Sequence, residues 1–301
     1  MAARLAIITV NWNQTESTCR CLGSLAGFEA LRPEIWVVDN ASRNGGAEVI
    51  ASEFPQVHLI ANPSNLGFGA ANNQALRELD ARFVLLLNND AFIPEADLAK
   101  LVEALEQNPH LAVVGPAVTA GPEAGDVIAL GGRDVGRHIR THLRPTDLTP
   151  ERISQARPFQ VRYVPGAIAL LRTQILEEIG FLEESYFFGG ELADFCEVAA
   201  GRGYSAAVLP AARGWHDMGE SDELRQRLYP YYILRNRFLF VRRHRRRLLA
   251  PLMLLWTGYG LAVAGRALGA KDTTRARLLL LAVADGLRGR FGDQNRRVLG
   301  Q

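Results

Sequence analysis

Three short runs of apolar residues in the first 90 positions each stop at small polar side chains. The runs cover residues 5–10, 34–38 and 83–87, and they lead into Asn11, Asp39 and Asn88-Asn89-Asp90. Stretches of helix-like sequence separate them, and a five-residue apolar run is typical of a strand that is covered on both faces. The alternation predicts βαβ units, and so an α/β fold with a mostly parallel central sheet flanked by helices.

The polar residues after the third run form a candidate cation site. In an open parallel sheet, ligands bind just beyond the carboxyl ends of the strands. Asp90 is placed there to hold a divalent cation against a diphosphate, because hard cations prefer oxygen ligands and phosphate oxygens complete the shell. Asn and Asp also end strands simply by forming turns, so this pattern alone leaves both interpretations open.

A glycine-bearing segment, Asn65-Leu66-Gly67-Phe68-Gly69, lies between the second and third runs. Gly67 and Gly69 allow a ligand to approach the backbone closely, and the residues after them can begin a helix whose N–H groups face an anion. The third glycine of a dinucleotide fingerprint is missing, and no strong strand comes directly before the segment. A Rossmann-type site is therefore not favoured.

Taken in order, these segments resemble the inverting family 2 glycosyltransferases of the GT-A fold, especially the rhamnosyltransferase-like branch. The resemblance covers roughly residues 4 to 240. Its pieces are Val10-Asn11-Trp12-Asn13, Val37-Val38-Asp39-Asn40-Ala41-Ser42, Asn65 to Gly69 with Asn72, Leu87-Asn88-Asn89-Asp90, Gly180-Phe181-Leu182-Glu183-Glu184, Glu191 to Asp194, Gly203-Tyr204 and His216. The resemblance implies a UDP- or dTDP-sugar donor, a Mn²⁺ or Mg²⁺ ion, and single-displacement transfer to a hydroxyl of a lipid-linked or polysaccharide acceptor.

The resemblance also implies roles for individual residues. Asp39 matches the aspartate that accepts a hydrogen bond from the pyrimidine base, although a turn or an N-cap is its alternative role. Asp90 matches the last residue of the metal-binding motif, in which Asn88 replaces the usual first acid, and His216 matches a late histidine that completes the metal site. With one certain charged ligand, the ion must depend on the donor diphosphate and water. The donor-binding positions are then Asn11, Asp39, Asn65, Gly67, Asn72 and Asn88, and Asn72 has helix capping as an alternative.

The catalytic base is where the sequence departs from the family pattern. The family has Glu-Asp-x-Asp, with the first aspartate as base, whereas this chain has Glu191-Leu192-Ala193-Asp194. Inverting transfer requires a carboxylate to take the proton from the attacking hydroxyl. Glu191 and Asp194 are both candidates, on one face of a helix that begins after two glycines, and apolar neighbours would raise the pKa of either carboxyl. Glu191 is favoured because it leads that helix.

Two alternatives to this interpretation remain. The two acids can merely favour the helix N-terminus, since carboxylates interact well with its dipole. The protein is then a catalytically degenerate nucleotide-sugar-binding or scaffold protein of the same fold. A nucleotidyltransferase that makes sugar nucleotides shares the fold type, but its Gly-rich, basic N-terminal loop is missing here.

The C-terminal part is unusually basic for a chain of net charge +2. Residues 224–271 contain ten arginines and no Asp or Glu, and the cluster Arg242 to Arg247 comes directly before Leu248 to Gly265, 18 residues without a charge. Cations beside an apolar helix predict an Arg-rich tail that lies on an anionic membrane surface. A packed helical hairpin with solvated arginines and a membrane span are the alternatives. No motif for nucleic acid accompanies the arginines, so nucleic-acid binding is not predicted.

The chain is therefore divided into a GT-A domain, residues 1–222, and a helical tail, residues 223–301. The domain comprises a nucleotide-sugar half (1–115), which ends with a helix over 95–107 and a strand over 111–115, and an acceptor half (161–222). Residues 116–160 are expected to form a connecting segment with a short hairpin and to act as a lid. Three cysteines that cannot all pair, and an N-terminus without signal-peptide features, favour a cytoplasmic setting, peripheral at the inner membrane face. Removal of the tail is expected to leave the nucleotide site intact, because the site's predicted ligands all precede residue 220.

Overall fold

The computed structural model describes residues 3–43, 45–121, 126–217 and 223–300. Within these ranges ten strands form one sheet, with α-helices on both of its faces. The strands are β1 (Ala3–Asn11), β2 (Glu34–Asp39), β3 (His58–Ala61), β4 (Ala81–Leu87), β5 (Ala91–Phe92), β6 (Leu111–Thr119), β7 (Val127–Ala129), β8 (Phe159–Val161), β9 (Ile168–Arg172) and β10 (Ser205–His216). The helices are α1 (Thr15–Leu25), α2 (Gly46–Glu53), α3 (Phe68–Glu78), α4 (Glu95–Gln107), α5 (Pro150–Ser154), α6 (Ile175–Ile179), α7 (Glu191–Ala200), α8 (Glu223–His244), α9 (Leu249–Gly269), α10 (Thr273–Arg288) and α11 (Asn295–Leu299).

The order of strands across the sheet is β3-β2-β1-β4-β9-β6-β10-β5. β1 pairs in parallel with β2 and β4, and β2 pairs in parallel with β3, so the predicted parallel βαβ series is confirmed. β9 lies antiparallel between β4 and β6, and β10 runs parallel to β6. The carboxyl ends of β1, β2, β4, β6 and β10 consequently share one edge of the sheet, which is where ligands bind in such folds.

The sheet is covered on both faces, as the uninterrupted apolar sequence of β4 predicts. Val84 and Leu86 pack with residues of α3 and α7 in one core cluster. Phe83, Leu85 and Leu87 point to the other face and pack with residues of α1 and α4. Burial of a leucine side chain contributes about 1.5–3 kcal/mol, so these alternating positions fix the strand between two helical layers.

The structure extends one predicted strand and confirms one predicted helix. α4 has the predicted bounds, whereas β6 continues from the predicted end at Gly115 to Thr119. Pro116 lies within β6 opposite Leu209, where β10 has a register shift. A proline is tolerated in a strand at such an irregularity, because a ladder hydrogen bond is already missing there.

The segment between β7 and β8 contains the predicted hairpin. Its arms are joined by the hydrogen bonds from Leu130 N to Leu143 O and from Leu143 N to Gly131 O, 2.8 and 2.9 Å long. The turn of the hairpin is fastened to the C-terminal helices, because Arg237 donates to three of its backbone carbonyls and Trp256 Nε1 donates to Gly136 O at 2.8 Å. The lid role stays a prediction, and residues 122–125 of this segment lie outside the described residues.

Helices α8 to α11 pack together and against the rest of the fold. Their core contains Tyr231, Phe238, Trp256 and Leu279, and the same cluster contains Phe187, which precedes α7. This shared core argues against the expectation that the chain beyond residue 240 can be removed without harm to the nucleotide site, and the outcome of that removal stays a prediction. The division into domains at residue 222 stays a prediction, since residues 218–222 lie outside the described residues.

The arginine cluster is engaged largely within the protein. Arg242 donates to Leu287 O at 2.9 Å, Arg243 is paired with Asp194, and Arg245 is paired with Asp134 and Glu197. Three arginines of the cluster therefore have partners within the protein and are not simply solvated, whereas contact of the tail with an anionic membrane surface stays a prediction. The remaining two members, Arg246 and Arg247, are exposed.

Candidate donor and metal site

A buried pair of side chains joins the ends of β1 and β2. Asn11 and Asp39 are paired across the two strands, and Asn11 Nδ2 donates to Asp39 Oδ2 at 2.7 Å. The other carboxylate oxygen of Asp39 accepts a hydrogen bond from Ser42 N at 2.9 Å, so Asp39 also forms the turn that was its alternative role. A carboxylate has about four acceptor positions, so these two bonds leave room for a base N–H.

Asn40 organises the loop that carries the candidate donor residues, although no predicted role fell on it. Its Nδ2 donates to Asn65 Oδ1 at 2.7 Å, and its Oδ1 accepts from Leu66 N at 3.0 Å. Asn65 Oδ1 also accepts from Gly67 N at 2.8 Å. The only signal in the sequence was its position directly after Asp39, at the end of a strand.

Gly67 is required by a close approach between two loops. It has φ = 84°, and a Cβ at this position would lie 2.6 Å from both the ring and the carbonyl oxygen of Phe187. The next residue, Phe68, begins α3 as predicted, and its N–H donates to Phe187 O at 2.8 Å. The donor loop therefore rests directly on the loop that leads into α7.

A pocket opens where these loops meet the strand ends. It is lined by Val10, Trp12, Gln14, Asn40, Asn65, Gly67, Phe68, Asn89, Phe187, Phe188 and Leu228. Of the predicted donor residues, Asn65 and Gly67 line this pocket. Asn11, Asp39, Asn72 and Asn88 are not among its lining residues. Asn72 is not a helix cap either, since it lies inside α3 and donates to Phe68 O at 2.8 Å.

The two predicted metal ligands, Asp90 and His216, meet at the same edge of the sheet. His216 ends β10 and pairs with Ala91 of β5, and its Nε2 lies 2.8 Å from Asp90 Oδ1. Asn89 turns its amide to Thr18 Oγ1, 3.1 Å away, and Asn88 has its backbone N–H bonded to Ala167 O. Asp90 is thus the carboxylate that the motif supplies at this edge.

The pair fits a metal site only in part. In the portion of the chain that the structure describes, no group of three or more His, Cys, Asp or Glu side chains could hold an ion. One carboxylate and one imidazole leave most of an octahedral shell to other ligands. Mg²⁺ sites of this kind are completed by substrate phosphates and water, so the residues fit an ion that arrives with a diphosphate.

Glu191 is the first residue of α7, as predicted, and it follows two glycines with positive φ, Gly189 and Gly190. Glu191 is 2% exposed, and its carboxylate accepts a hydrogen bond from Gly189 N at 3.1 Å. Burial raises the pKa of Glu191 to about 7, against the lowering effect of the backbone hydrogen bonds and of Arg235. A carboxyl group with this pKa is partly ionised at neutral pH and basic enough to accept a proton.

Asp194 is in a different environment from Glu191, one helical turn away. Arg243 Nε lies 2.7 Å and His244 Nε2 2.5 Å from its Oδ1, which also accepts from the Tyr186 hydroxyl at 3.0 Å. Burial acts to raise the pKa of Asp194, but the hydrogen bonds from His244 and Arg243 outweigh it and lower the pKa below its usual value. A carboxylate held by two basic side chains and a hydroxyl is a poor proton acceptor.

Leu192 occupies the position of the family's base and carries no acceptor. Its side chain is buried and points towards Gly166, where a Cβ would lie 3.5 Å from Leu192 Cδ2. The structure therefore separates the two candidate acids. Glu191 has a raised pKa and contacts α3, where a Cβ on Gly69 would lie 3.4 Å from its Cγ. Asp194, by contrast, is an ionised carboxylate whose charge is balanced by its neighbours.

Two further residues, which no sequence motif marked, hold the loop before α7. Asn236 Nδ2 lies within hydrogen-bonding distance of the carbonyl oxygens of Tyr186, Phe188 and Gly189, at 3.0, 3.0 and 2.6 Å. Arg235, which is fully buried, donates to Tyr186 O at 2.7 Å. Between these carbonyls, Phe187 has φ = 63°, a conformation that costs a non-glycine residue free energy and persists only where its surroundings fix it.

Comparisons with known proteins agree with the fold and the motifs. Residues 6–180 match the family model described as glycosyl transferase family 2. A low-salt glycan biosynthesis hexosyltransferase of Haloferax volcanii is 25% identical over 241 residues, which are 78% of this chain and 74% of that protein. An N-acetylglucosaminyl-diphospho-decaprenol L-rhamnosyltransferase of Mycobacterium tuberculosis is 24% identical over 238 residues, 72% of this chain and 77% of that protein.

The same architecture occurs in a solved structure. A mannosyltransferase from Pyrobaculum calidifontis, in complex with GDP-Man and Mn²⁺, matches with a TM-score of 0.61 and 19% identity. The match covers 95% of this chain and 88% of that one. This structural match shows a shared fold of GT-A type. In this fold a central sheet flanked by helices is followed by a C-terminal helical region.

Proposed function

This chain belongs to glycosyl transferase family 2, and we propose that it transfers a sugar, with inversion, from a UDP- or dTDP-sugar to an acceptor hydroxyl in a metal-dependent reaction. The observation that carries the proposal is the convergence of three groups at one edge of the sheet. They are the Asn11–Asp39 pair, the loop of Asn65 to Gly67, and the Asp90–His216 pair. A nucleotide-sugar donor needs a site for its nucleobase, a loop that contacts its sugar and phosphates, and a cation that balances the charge of its diphosphate. The three groups have the chemistry for these tasks, in this order.

We assign the pyrimidine to Asp39, because a fixed carboxylate can accept a hydrogen bond from the N3–H of uracil or thymine. The mannosyltransferase structure holds a guanine nucleotide, so GDP-sugars are a necessary arm of any donor test. The loop at Gly67 then lies along the ribose and diphosphate, held in shape by the hydrogen bonds that Leu66 N, Gly67 N and Phe68 N donate within the protein.

Asp90 and His216 would hold a Mn²⁺ or Mg²⁺ ion together with the donor diphosphate. The ion would neutralise the charge that develops on the leaving nucleotide. The protein's own contribution is to keep the carboxylate and the imidazole in register through the pairing of β5 with β10. That pairing also stacks Phe92 on Trp215, with 5.2 Å between the ring centroids.

We assign the proton transfer to Glu191, since Leu192 has no acceptor and Asp194 is neutralised by Arg243 and His244. The carboxylate is buried in this conformation, so acceptor binding must expose it, and the two glycines before α7 are where the backbone can move. Exposure would lower the pKa of Glu191 and so ionise the base as the acceptor hydroxyl arrives.

The acceptor we propose is lipid-linked or a polysaccharide, with transfer at the cytoplasmic face of a membrane. The name of the mycobacterial relative describes an acceptor carried on decaprenyl diphosphate. A long apolar helix, residues 246–269, is compatible with work at a lipid surface.

The deciding experiment is a donor screen of purified protein. UDP-, dTDP- and GDP-sugars are supplied with Mn²⁺, and nucleotide release is measured with and without a polyprenyl-diphosphate acceptor. We expect release with one pyrimidine donor that depends on acceptor, and Glu191→Gln to lower turnover by on the order of 10²–10⁴-fold while donor affinity is kept.

The control for Glu191→Gln is Asp80→Ala, which changes an exposed acid before β4. Asn73→Ala is not a suitable control, because Asn73 Nδ2 donates to Leu182 O of the neighbouring loop. Strong nucleotide binding without acceptor-dependent release by any donor would instead favour a protein that binds nucleotide sugars without turnover. Unchanged turnover in Glu191→Gln would remove this residue from the reaction.

A further inference from the structure

Helix α9 is apolar on two faces. One face is buried against the neighbouring helices through Leu252, Trp256, Gly260, Ala264 and Ala267. The other face carries a leucine stripe, which we define as Leu254, Leu261 and Leu268, spaced seven residues apart. These side chains are 73%, 51% and 53% exposed. A helix that is apolar all round is normally buried in a large core or in lipid.

Exposed apolar side chains are concentrated in this part of the chain. Among the described residues, twelve large apolar side chains are exposed, and seven of them lie on the turn before α9, on α9 and on α10. The seven are Leu248, Leu254, Leu255, Leu261, Leu268, Leu280 and Leu287. Isolated exposed leucines are ordinary, but a concentration of this kind marks an interaction surface.

The charged residues of the stretch that carries the stripe, residues 246–271, are all positive, and the first acid after them, Asp272, accepts a hydrogen bond from Arg275 N at the start of α10. Arg246 and Arg247 are exposed before its first turn, and Arg266 and Lys271 are exposed near its end. Residues 224–271 contain no acidic residue. Cations at both ends of an apolar stripe match the anionic head groups and acyl chains of a lipid surface, and long basic side chains can reach the head groups while their stems lie in the boundary.

Two other occupants fit less well. A second copy of the chain would bring these positive ends near one another in a symmetric contact, and like charges oppose such a contact. A transmembrane orientation is compatible with the length and the apolar composition of residues 246–269. It would, however, remove Trp256 from Gly136, to which it donates a hydrogen bond at 2.8 Å, and separate α9 from α8 and α10.

We propose that the leucine stripe of α9 lies in the plane of an anionic bilayer, inserted to the depth of the head-group boundary, with Arg246, Arg247, Arg266 and Lys271 at the head groups. This inference deepens the membrane location proposed above and rests on it, but it does not depend on the transfer reaction. Of the arginine cluster it uses only Arg246 and Arg247, since Arg242, Arg243 and Arg245 are bound to other groups of the protein.

The test is flotation of the full-length protein with vesicles, without donor or acceptor. Vesicles of phosphatidylcholine alone are compared with vesicles that contain phosphatidylglycerol, at low and high salt. We expect the parent to float with the anionic vesicles, and the triple variant Leu254→Ser, Leu261→Ser, Leu268→Ser to bind at least about tenfold more weakly. The matched control is Val49→Ser with Ile139→Ser, which removes two exposed apolar side chains elsewhere and should float like the parent.

Charge and insertion are separated by a second variant. Arg246→Gln, Arg247→Gln, Arg266→Gln and Lys271→Gln together should abolish the preference for anionic vesicles and the salt dependence, because both come from charges near the surface. Thermal unfolding of each variant in solution checks that the fold is kept. If the triple variant does not fold, each leucine is replaced singly, and the reductions in binding are expected to accumulate.

Several results would overturn the proposal. One is a parent that does not float with anionic vesicles at low salt, and another is a triple variant that floats like the parent. A parent dimer that the triple variant converts to monomer, without a change in flotation, would assign the stripe to a second copy of the chain. Resistance to carbonate extraction would show that α9 spans the bilayer. Each of these outcomes leaves the donor screen unaffected, so failure here and failure of the proposed reaction are distinguishable.

Discussion

Glu191 links the stability of the protein to pH. Its pKa of about 7 lies above the usual value of 4.5, so the folded protein keeps a proton that the unfolded chain has lost between these pH values. The stability from this group is therefore fully present below pH 4.5 and is lost as pH rises through about 7. At pH 8 the raised pKa lowers the free energy of unfolding by about 3 kcal/mol, relative to its value below pH 4.5.

We expect Glu191→Gln to flatten the pH dependence of stability between pH 5 and pH 8 and to be more stable than the parent at pH 8. Denaturant unfolding of both proteins at several pH values measures this. The difference between the two curves removes the contribution of His142, whose lowered pKa acts in the opposite direction. Parallel curves would show that the carboxyl group titrates normally in the folded protein.

Asp194 should behave as a structural residue. Asp194→Asn leaves Arg243 without its counter-charge, and loss of one partner of a buried pair typically costs about 3–5 kcal/mol. Arg243 is 35% exposed, so solvent screens part of this loss and we expect about 2–3 kcal/mol, measured as a lower denaturation midpoint. Turnover of the folded variant should fall far less than in Glu191→Gln. The opposite ranking of the two variants would move the base to Asp194.

Asp90 should be needed for metal-dependent nucleotide binding. We expect Asp90→Ala to abolish the tightening of UDP or dTDP binding by Mn²⁺ in calorimetry, because the ion loses its only carboxylate ligand from the motif. Asp80→Ala, which removes an exposed acid before β4, should retain the tightening. Equal affinity of the parent with and without Mn²⁺ would contradict a metal at this edge.

At the level of single residues, the sequence predicted the polar positions that come directly after a strand end. Asn11, Asp39 and Asp90 could be placed because their strands are apolar runs with sharp ends. His216 could be placed only through its resemblance to the family. Asn40 and Asn236 could not be identified, since their importance lies in hydrogen bonds to loops that no local pattern reveals.

Among the helices, α8 determines the shape of the loop before α7. We expect Asn236→Ala to leave the carbonyl groups of Tyr186, Phe188 and Gly189 without this donor, and to lower the free energy of unfolding by at least about 2 kcal/mol, since one buried unsatisfied polar group already costs about 1–3 kcal/mol. Because Phe187 and Phe188 line the pocket, the affinity for the donor nucleotide should fall as well.

Asn108→Ala is the matched control for this variant. Asn108 Nδ2 donates to Ala104 O at 2.8 Å at the C-terminal end of α4, so its loss should lower stability without a change in nucleotide affinity. If Asn236→Ala bound nucleotide as tightly as the parent, the role of α8 in shaping the pocket would be disproved, whatever its effect on stability.

The strands and helices themselves were predictable to different degrees. α4 and the parallel strands follow from clear periodicity and sharp boundaries. The antiparallel direction of β9 could not be predicted, because a five-residue apolar run carries no signal of direction. α8 was misjudged since arginines normally face water, whereas Arg235 and Arg237 here bind backbone carbonyls in the interior.

For the whole molecule, the C-terminal helices are part of the folded unit. We expect a chain that ends at residue 244 to be insoluble or to lack cooperative unfolding, because removal of α9 to α11 exposes Tyr231, Phe238 and Val241 of the shared core. Soluble yield and calorimetry measure this. A truncated chain that unfolds cooperatively and binds UDP like the parent would restore the view of these helices as a separate tail.

The overall architecture could be inferred from the order of the motifs, but the manner in which the last third of the chain attaches could not. Composition alone made residues 224–271 look like an appendage, since they are basic and apolar without acids. Their partners, Asp134, Asp194 and Glu197, lie far away in the sequence, and only the folded chain brings them together.

The dependence of the loop at Phe187 on α8 also has a consequence for the protein during its synthesis. At roughly 5–20 residues per second, Asn236 is made several seconds after Gly189, and further residues must be added before it leaves the ribosome. Until then the nascent chain holds a finished β1 to β4 sheet beside an unsupported loop. The nascent protein should therefore be unable to bind a donor until Asn236 has left the ribosome and its side chain has bound the carbonyl groups of the loop.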